Sequence, residues 1–254
     1  VDFKNYGSKY KEETANPGYY SVFLTKYNIK SEATATLRSG LSRFTFPAGQ
    51  SNILLNLGEG LTNESGAFLR KVSDTEIEGM RLLGTFCYNP QAVFPIYFVM
   101  KINKAPIASG YWKKQREMKG VEAEWDIHSG KYKIYTQYNK EIAGDDIGAW
   151  FTFNTAENEE IEVSLGVSFV SIENARENLE KEQHGRHFEE IHKEAREQWN
   201  SHLGRIKVEG GTEDQKTVFY TGLYHTLIHP SILQDVNGEY PAMETGKTLT
   251  TKGD

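Results

Sequence analysis

The sequence predicts a mainly β protein with C-terminal helices: a large antiparallel β-sandwich that gives way to helix after Ser171. Three observations carry this. Between Tyr19 and Phe169, short runs rich in Val, Ile, Phe, Tyr and Thr recur between turn residues. Several of these runs alternate apolar with polar residues, the period of a strand with one buried face. From Ile172 onward Glu, Lys, Arg and Ala replace Val and Thr, and apolar residues recur at helical spacing.

The elements follow in order. Residues 1–17 are polar and end in the turn signal Asn16-Pro17-Gly18. Tyr19–Tyr27 alternates, with Tyr20, Val22 and Leu24 on one face. Ile29–Phe46 reads as strand, with Gly40 marking a bulge or a break. Ser51–Leu57 is ended by Gly58 and Gly60. Ala67–Val72 and Thr75–Leu83 form a hairpin across Ser73-Asp74. Pro95–Ile102 is continuously apolar and predicts a buried strand. Ile107–Lys113, Lys131–Tyr138, Gly148–Asn154 and Glu160–Phe169 complete the series. A helix over 172–182 is capped by Ser171 or a neighbouring polar residue. A second, amphipathic helix carries Phe188, Ile191, Ala195, Trp199 and Leu203 and stops at Gly204. Thr212 with Asp214 and Gln215 predicts an N-terminal cap region. The helix that follows, Gln215–His229, is apolar on most sides (Val218, Phe219, Leu223, Leu227, Ile228), so it calls for burial all round. Pro230 ends it, and Asn237-Gly238 is a strong hairpin signal. These readings divide the chain into a sandwich over 1–171, linker helices over 172–209 and the beginning of a second domain over 210–254.

Composition narrows the function classes. The chain has 254 residues and a formal net charge of −6, so no basic nucleic-acid surface is implied. Aromatic residues make up 12% of the chain, which suits packed sheets and also platforms for sugar rings. The single cysteine, Cys87, excludes an internal disulfide and reads as a buried structural thiol. No stretch is long and apolar enough to cross a membrane. No signal peptide is visible, and the opening residue is Val1 rather than methionine, which implies a processed, truncated or renumbered start. Asn63-Glu64-Ser65 matches the glycosylation pattern, a match that chance also supplies.

Few constellations could carry chemistry. Glycosidic hydrolysis needs two carboxyl groups flanking the bond. The adjacent acids Asp145-Asp146, Glu159-Glu160 and Glu189-Glu190 lie in turns or on a charged helix face and read as solvated surface. His184, His187 and His192 suggest a metal, but Gly185 weakens the helix that would align the first two, and a third ligand is not evident. His225, inside the apolar helix, is the candidate substrate-binding residue; burial and a hydrogen bond are its ordinary alternative. Among the tryptophans, Trp150 and Trp199 fall on apolar faces. Trp112 and Trp125 flank a polar loop and are the better candidates for an exposed platform, although packing is the stronger expectation for both. Asp126 and His128 lie in Gly120–Gly130 without a nucleophile in a recognisable frame. Walker, GxGxxG, GxSxG and zinc patterns are absent.

Three segments together resemble glycoside hydrolase family 92. The first is Asn16-Pro-Gly-Tyr-Tyr-Ser-Val-Phe-Leu, with Tyr27-Asn-Ile-Lys-Ser-Glu-Ala-Thr-Ala-Thr-Leu-Arg-Ser-Gly and Arg43-Phe-Thr-Phe-Pro47 after it. The second is Ala195-Arg-Glu-Gln-Trp-Asn-Ser-His-Leu-Gly-Arg-Ile. The third, the most specific, is Phe219-Tyr-Thr-Gly-Leu-Tyr-His-Thr, then Pro230, then Asp235-Val-Asn-Gly-Glu-Tyr240. The resemblance runs from Asn16 to Tyr240 and is weakest between Thr62 and Trp125.

The resemblance implies a supersandwich joined by linker helices to an (α/α)6 catalytic barrel, of which 210–254 is the start. It implies a periplasmic or extracellular α-mannosidase that removes terminal α-linked mannose from glycans with inversion. It implies calcium on the sugar's 2- and 3-hydroxyls, a glutamic acid protonating the leaving oxygen and an aspartate activating water. The family's glycine-rich, aromatic opening stretch has no counterpart here. Its Trp-Asp motif, catalytic carboxylates and calcium ligands are expected after Asp254. No catalytic residue and no metal ligand is therefore assigned within these residues. The expected partners are mannose-containing glycans and the remaining barrel of the same protein. Two other readings stand beside this one: a non-catalytic carbohydrate-binding sandwich, and another sandwich-plus-barrel glycosidase or phosphorylase. Whether the face of residues 213–229 is covered or bare bears on the first of them.

Overall fold

Alternation along each strand sorts its side chains to two faces, and the sheets stack on those faces. The computed structural model describes residues 6–58, 63–84, 93–114, 132–135, 140–229, 231–242 and 246–251. Among them, nine strands form one antiparallel sheet. Its order is β1 (Tyr10–Asn16), β2 (Tyr19–Leu24), β3 (Ile29–Ala35), β4 (Ser39–Phe46), β13 (Glu159–Ser168), β8 (Val93–Ile102), β7 (Glu76–Gly84), β6 (Asn63–Lys71) and β11 (Glu141–Gly144). Four more strands form a second sheet, in the order β10 (Tyr132–Tyr135), β9 (Ala108–Lys114), β12 (Ile147–Thr155) and β5 (Gly49–Asn56). Phe46, Ile53, Leu69, Ile77, Phe98, Met100, Phe151, Phe153 and Ile161 fill the core between them. Each such side chain contributes roughly 1.5–3 kcal/mol when fully buried.

The large sheet is covered on its other face by helices. The first, α1 (Ile172–Gln183), lays Ala175 and Leu179 on Val99 of β8. The second, α2 (Phe188–Leu203), lays Phe188 and Ile191 on Leu41 of β4, with Tyr19 beside them. Burial on both faces explains why 95–102 reads as an apolar run with Lys101 as its one charge: Phe98, Met100 and Ile102 face the sandwich core, and Val99 faces α1. The expected mainly β fold with C-terminal helices is the one observed.

Several boundaries differ from the sequence reading, each for a physical reason. Gly40 is no break: it lies in regular register opposite Ala35 and Leu165. The turn falls at residues 36–38, where no glycine or proline signals it. It is held from afar by Glu182 of α1, which accepts from the Thr36 hydroxyl, from the Arg38 backbone N–H at 2.9 Å and from the Arg38 guanidinium at 3.0 Å. Strand β1 lies at a sheet edge with every residue exposed, so it shows no alternation to read. Strand β11 is four residues of mixed character paired to β6. Asn28 and Asn158 turn the chain with positive φ (53° and 60°), a conformation asparagine tolerates. The expectations for Cys87, for Trp125 and its neighbours Asp126 and His128, and for the helix stop at Pro230 fall outside the described residues.

One buried charge network ties α2 to the sheet. Glu32 is 3% exposed. It accepts from Arg43 at 3.0 and 3.1 Å, from Tyr19 at 2.7 Å and from Lys30 at 3.0 Å. Arg43 in turn pairs with Glu189 of α2 at 2.8 Å and lies 4.2 Å from the centre of the Phe188 ring. Burial alone raises the Glu32 carboxyl, but the hydrogen bonds from Arg43, Tyr19 and Lys30 outweigh it and push it down to about 2. The folded value lies below the ordinary 4.5, so the stabilisation is fully present above about pH 4.5 and is lost as pH falls toward 2. It amounts to about 3 kcal/mol. Denaturant titrations should find Glu32→Gln less stable than wild type near neutrality, with the gap closing below about pH 4. A gap independent of pH would contradict this assignment.

Candidate functional site

A hydrolytic site would show as carboxyl groups free to face a substrate. The adjacent acids named from the sequence are instead tied up locally. Glu159 accepts from Lys104 and from the Ala156 N–H. Glu160 lies 3.8 Å from Arg43, and Glu189 pairs with the same guanidinium. Glu190 accepts from the His187 N–H at 2.9 Å, closing the first turn of α2. Asp146 lies 3.9 Å from Lys114. The best-buried glutamates are equally committed: Glu78 accepts from both Arg70 and Arg176.

The histidines do separate structural work. His184 follows α1 as its C-cap and His187 precedes α2 as its N-cap. His192 stacks on Tyr19 with ring centres 4.3 Å apart. Among the described residues no group of three or more His, Cys, Asp or Glu side chains could hold a metal ion.

Trp112 is packed, the stronger expectation for it, and is no exposed platform: it is 2% exposed. Its indole lies across Gly148 of the neighbouring strand, where an added Cβ would stand 2.0 Å from the ring. Only the missing side chain makes room for it. The helix read as 215–229 is α3 (Glu213–Thr226), capped by Thr212, whose hydroxyl accepts from the Gln215 N–H at 3.2 Å. It has no buried residue. Val218 is 73% exposed, and Phe219, Leu227 and Ile228 are exposed as well. Its contact with the rest of the fold is the Trp199–Tyr224 ring pair on α2, at 4.9 Å, and a hydrogen bond from the Tyr220 hydroxyl to Ile206 O at 3.1 Å. His225 is therefore exposed rather than buried, 5.8 Å from the Tyr224 ring. An apolar helix needs neighbours on every side, and the described residues leave most of this one exposed.

The most concentrated polar chemistry is at Asp235, 4% exposed. It accepts from Ser168 at 2.6 Å, Asn174 at 2.8 Å and Asn178 at 2.6 Å. Its backbone N–H donates to Glu239 O at 2.8 Å, and its carbonyl accepts from Gly238 N–H at 2.9 Å. Asn178 also accepts from the Val236 N–H, and Asn174 donates to Glu239 at 2.8 Å. Neutral donors thus hold the charge and lock residues 235–239 onto α1 and β13. Asn237-Gly238 does turn the chain, Gly238 with φ 89°, but within this knot. The ladder strands β14 (Glu239–Pro241) and β15 (Thr248–Thr250) follow it. The sequence signal for the knot is a pair of asparagines, 174 and 178, one turn apart on a helix face that otherwise packs on a sheet.

Comparison with known proteins agrees with this architecture. Residues 1–168 match the glycosyl hydrolase family 92 N-terminal domain, and residues 174–253 match the glycosyl hydrolase family 92 catalytic domain. No curated protein sequence matches. A family GH92 alpha-mannosidase from Bacteroides thetaiotaomicron superposes with TM-score 0.81 at 27% identity, covering 97% of this chain and 31% of that one. A GH92 family glycosyl hydrolase called ccman5 gives TM-score 0.82 at 23% identity over 99% of this chain and 33% of its own. An inverting mannosidase of the family from Bacteroides thetaiotaomicron VPI-5482 gives 0.76 at 24%, covering 94% and 30%. The last two likenesses are of fold. The chain spans about a third of the length of each of these structures. With both domain matches together extending from residue 1 to residue 253, the chain belongs to glycosyl hydrolase family 92.

Proposed function

We propose that this chain is the scaffold portion of a glycoside hydrolase that removes terminal α-linked mannose from glycans with inversion, depends on calcium, and works in the periplasm or outside the cell. The observation that carries the reading is the likeness across 97% of this chain, at 27% identity, to an enzyme described as an alpha-mannosidase and also solved with mannoimidazole. The bare apolar surface of α3 supports it. The remaining barrel helices, in the part of the relatives' length beyond this match, are the partner such a helix needs. Within this chain His225, exposed beside Tyr224, is the side chain assigned to the sugar.

The described residues do not fit a calcium ion. No group of three or more acidic, His or Cys side chains converges, and the buried carboxylates of Glu32, Glu78 and Asp235 are saturated by protein donors. The ligands of the calcium are expected in the remaining barrel.

Hydrolysis of an aryl α-mannoside tests the reading, using the full-length protein and the 254-residue chain, each with calcium and with a chelator. Activity of the full-length protein alone, lost on chelation, is the expected result. In that background His225→Ala should reduce activity. Hydrolysis by the 254-residue chain alone would overturn the assignment of this part as scaffold.

A further inference from the structure

The two sheets of the sandwich differ in extent: among the described residues, nine strands stack against four. Register shows where the cover runs out, because directly opposed residues share a face. One row of the core face runs from Ile102 through Val163, Ser42 and Ala33 to Tyr20. Another runs from Met100 through Leu165 and Gly40 to Ala35. Met100 and Ile102 are sealed in the core. Val163 and Leu165 are half-buried, Ala35 is exposed, and Tyr20 is 41% exposed. Over Gly40 the space is empty, for an added Cβ would meet nothing within 4 Å. The opposite face of the same strands is closed, with Ser21, Glu32, Thr34 and Leu41 buried on the side of α2. Polar side chains of β2 and β3 are thus covered, while the core face of these strands meets solvent.

The four-stranded sheet stops short of this region. Lys113 Nζ of β9 donates to Ala143 O of β11 at 2.7 Å, and the Tyr111 hydroxyl to Lys140 O at 3.2 Å, so the sheet begins over the β11 edge. It ends with β5, which two residues, 47 and 48, join to β4. Among the described residues β5 pairs with β12 alone. Its other edge is a row of backbone N–H and C=O groups along eight residues, open to a further strand. Strands added there would lie over β4, β3 and β2, at the ~10 Å spacing of stacked sheets. Ser31, Ala33, Ala35, Gly40 and Ser42 are small and leave room for the side chains such strands would point inward.

A second copy of this chain does not fit the place. Among its described edges β1 is charged and irregular between Lys11 and Thr14, and β10 and β11 are four residues each. Two β5 edges paired antiparallel would put both large sheets on one side, in the same space. The chain spans about a third of the length of the structures it superposes on, so a polypeptide of that length has residues to supply strands. The geometry points to an extended segment of the same polypeptide, outside residues 1–254, that pairs with β5 and closes the second sheet over β2, β3 and β4. The segment matches the eight-residue edge and carries apolar side chains at every second position. This rests on the reading of the chain as a portion of a longer glycoside hydrolase, and it gives that portion a second joint to the rest besides α3.

The test uses the full-length protein with Tyr20 replaced by the photo-cross-linking residue p-benzoylphenylalanine, a ring side chain at a position exposed on this face. After irradiation and digestion, mass spectrometry identifies the peptide joined to residue 20. Amide exchange of the unsubstituted full-length protein is the second readout and does not depend on how the variant folds. The expected result is a cross-link to a peptide of the same molecule outside residues 1–254. The β5 amides that point away from β12 should exchange at least about a hundredfold more slowly than in an unstructured peptide. A cross-linked product of twice the mass makes the partner a second copy and overturns the proposal. A variant that melts as wild type does and forms no cross-link overturns it too. Fast exchange along the free edge of β5 overturns it whatever the variant does. Full-length protein that fails on an aryl α-mannoside refutes the mannosidase reading, while cross-link and exchange still decide this surface.

Discussion

Asp235→Ala is expected to release residues 231–251 from the sandwich and to lower stability by about 3–6 kcal/mol. The carboxylate is the common acceptor for Ser168, Asn174 and Asn178, at 2.6–2.8 Å in a site almost without solvent. Alanine leaves three buried donors with no acceptor, and each such group costs about 1–3 kcal/mol. Partial relaxation of the asparagine amides keeps the total below the simple sum. Asp235→Asn keeps the shape but turns an NH2 toward groups that already donate, so an intermediate loss of about 2 kcal/mol is expected. Amide hydrogen exchange separates a local effect from a global one. The N–H groups of Asp235, Val236 and Gly238, now bonded to Glu239 O, Asn178 Oδ1 and Asp235 O, should exchange first, while those of β8 and β13 stay protected. Unchanged protection and an unchanged melting temperature would show that the knot does not hold this segment.

Gly166→Ala is expected to be as damaging, for a steric reason. Gly166 is on β13 directly beneath α1. A Cβ there would lie 2.3 Å from the Ala175 carbonyl oxygen and 2.6 Å from Leu179 Cβ. The first of these is backbone, so no rotamer change relieves it, and the helix must lift from the sheet. Lifting it opens the contact of Ala175 and Leu179 with Val99 and strains the bonds of Asn178 to Val167 O and Asp235. Overpacking of a formed core costs typically 1–3 kcal/mol, and the rigid backbone partner puts this case at about 3 kcal/mol or more. Gly40→Ala is the matched control. It is also a strand glycine on the same sheet, but nothing lies within 4 Å of its added Cβ, and a change within about 0.5 kcal/mol is expected. Urea midpoints of the two variants should differ clearly; similar midpoints would refute the close approach of α1 to β13.

The two effects converge on α1, and the exposed α3 lies in the chain between α1 and the segment it anchors. Strand β13 and α1 form the platform, and the Asp235 knot fastens the segment after α3 to it. The scaffold role proposed for this chain would be exercised through that joint, which fixes where the bare face of α3 is presented.

Much of this was legible in the sequence, because it rests on local rules. A half-buried strand must alternate, and β5 does, with Ser51 and Ile53 buried and Asn52 and Leu54 exposed; a strand covered on both sides is mostly apolar, and β8 is, with Lys101 its one charge. Ser171 and Thr212 cap their helices because a short side-chain oxygen reaches the first free N–H groups. The apolar excess of α3 showed that it needs neighbours. Only the tertiary structure decided the rest. The β3–β4 turn has no turn residues of its own and depends on Glu182, more than a hundred residues away. That Trp112 packs was expected, but that Gly148 makes the room for it is decided only by the pairing of β9 with β12. Asp235 could have been a surface turn residue, and it became a buried anion because Ser168, Asn174 and Asn178 converge on it from another strand and helix. Period, capping and composition are properties of neighbouring residues and are written in order along the chain. Which distant side chain satisfies a buried charge, or fills the space over a glycine, is settled only when the sheets and helices pack.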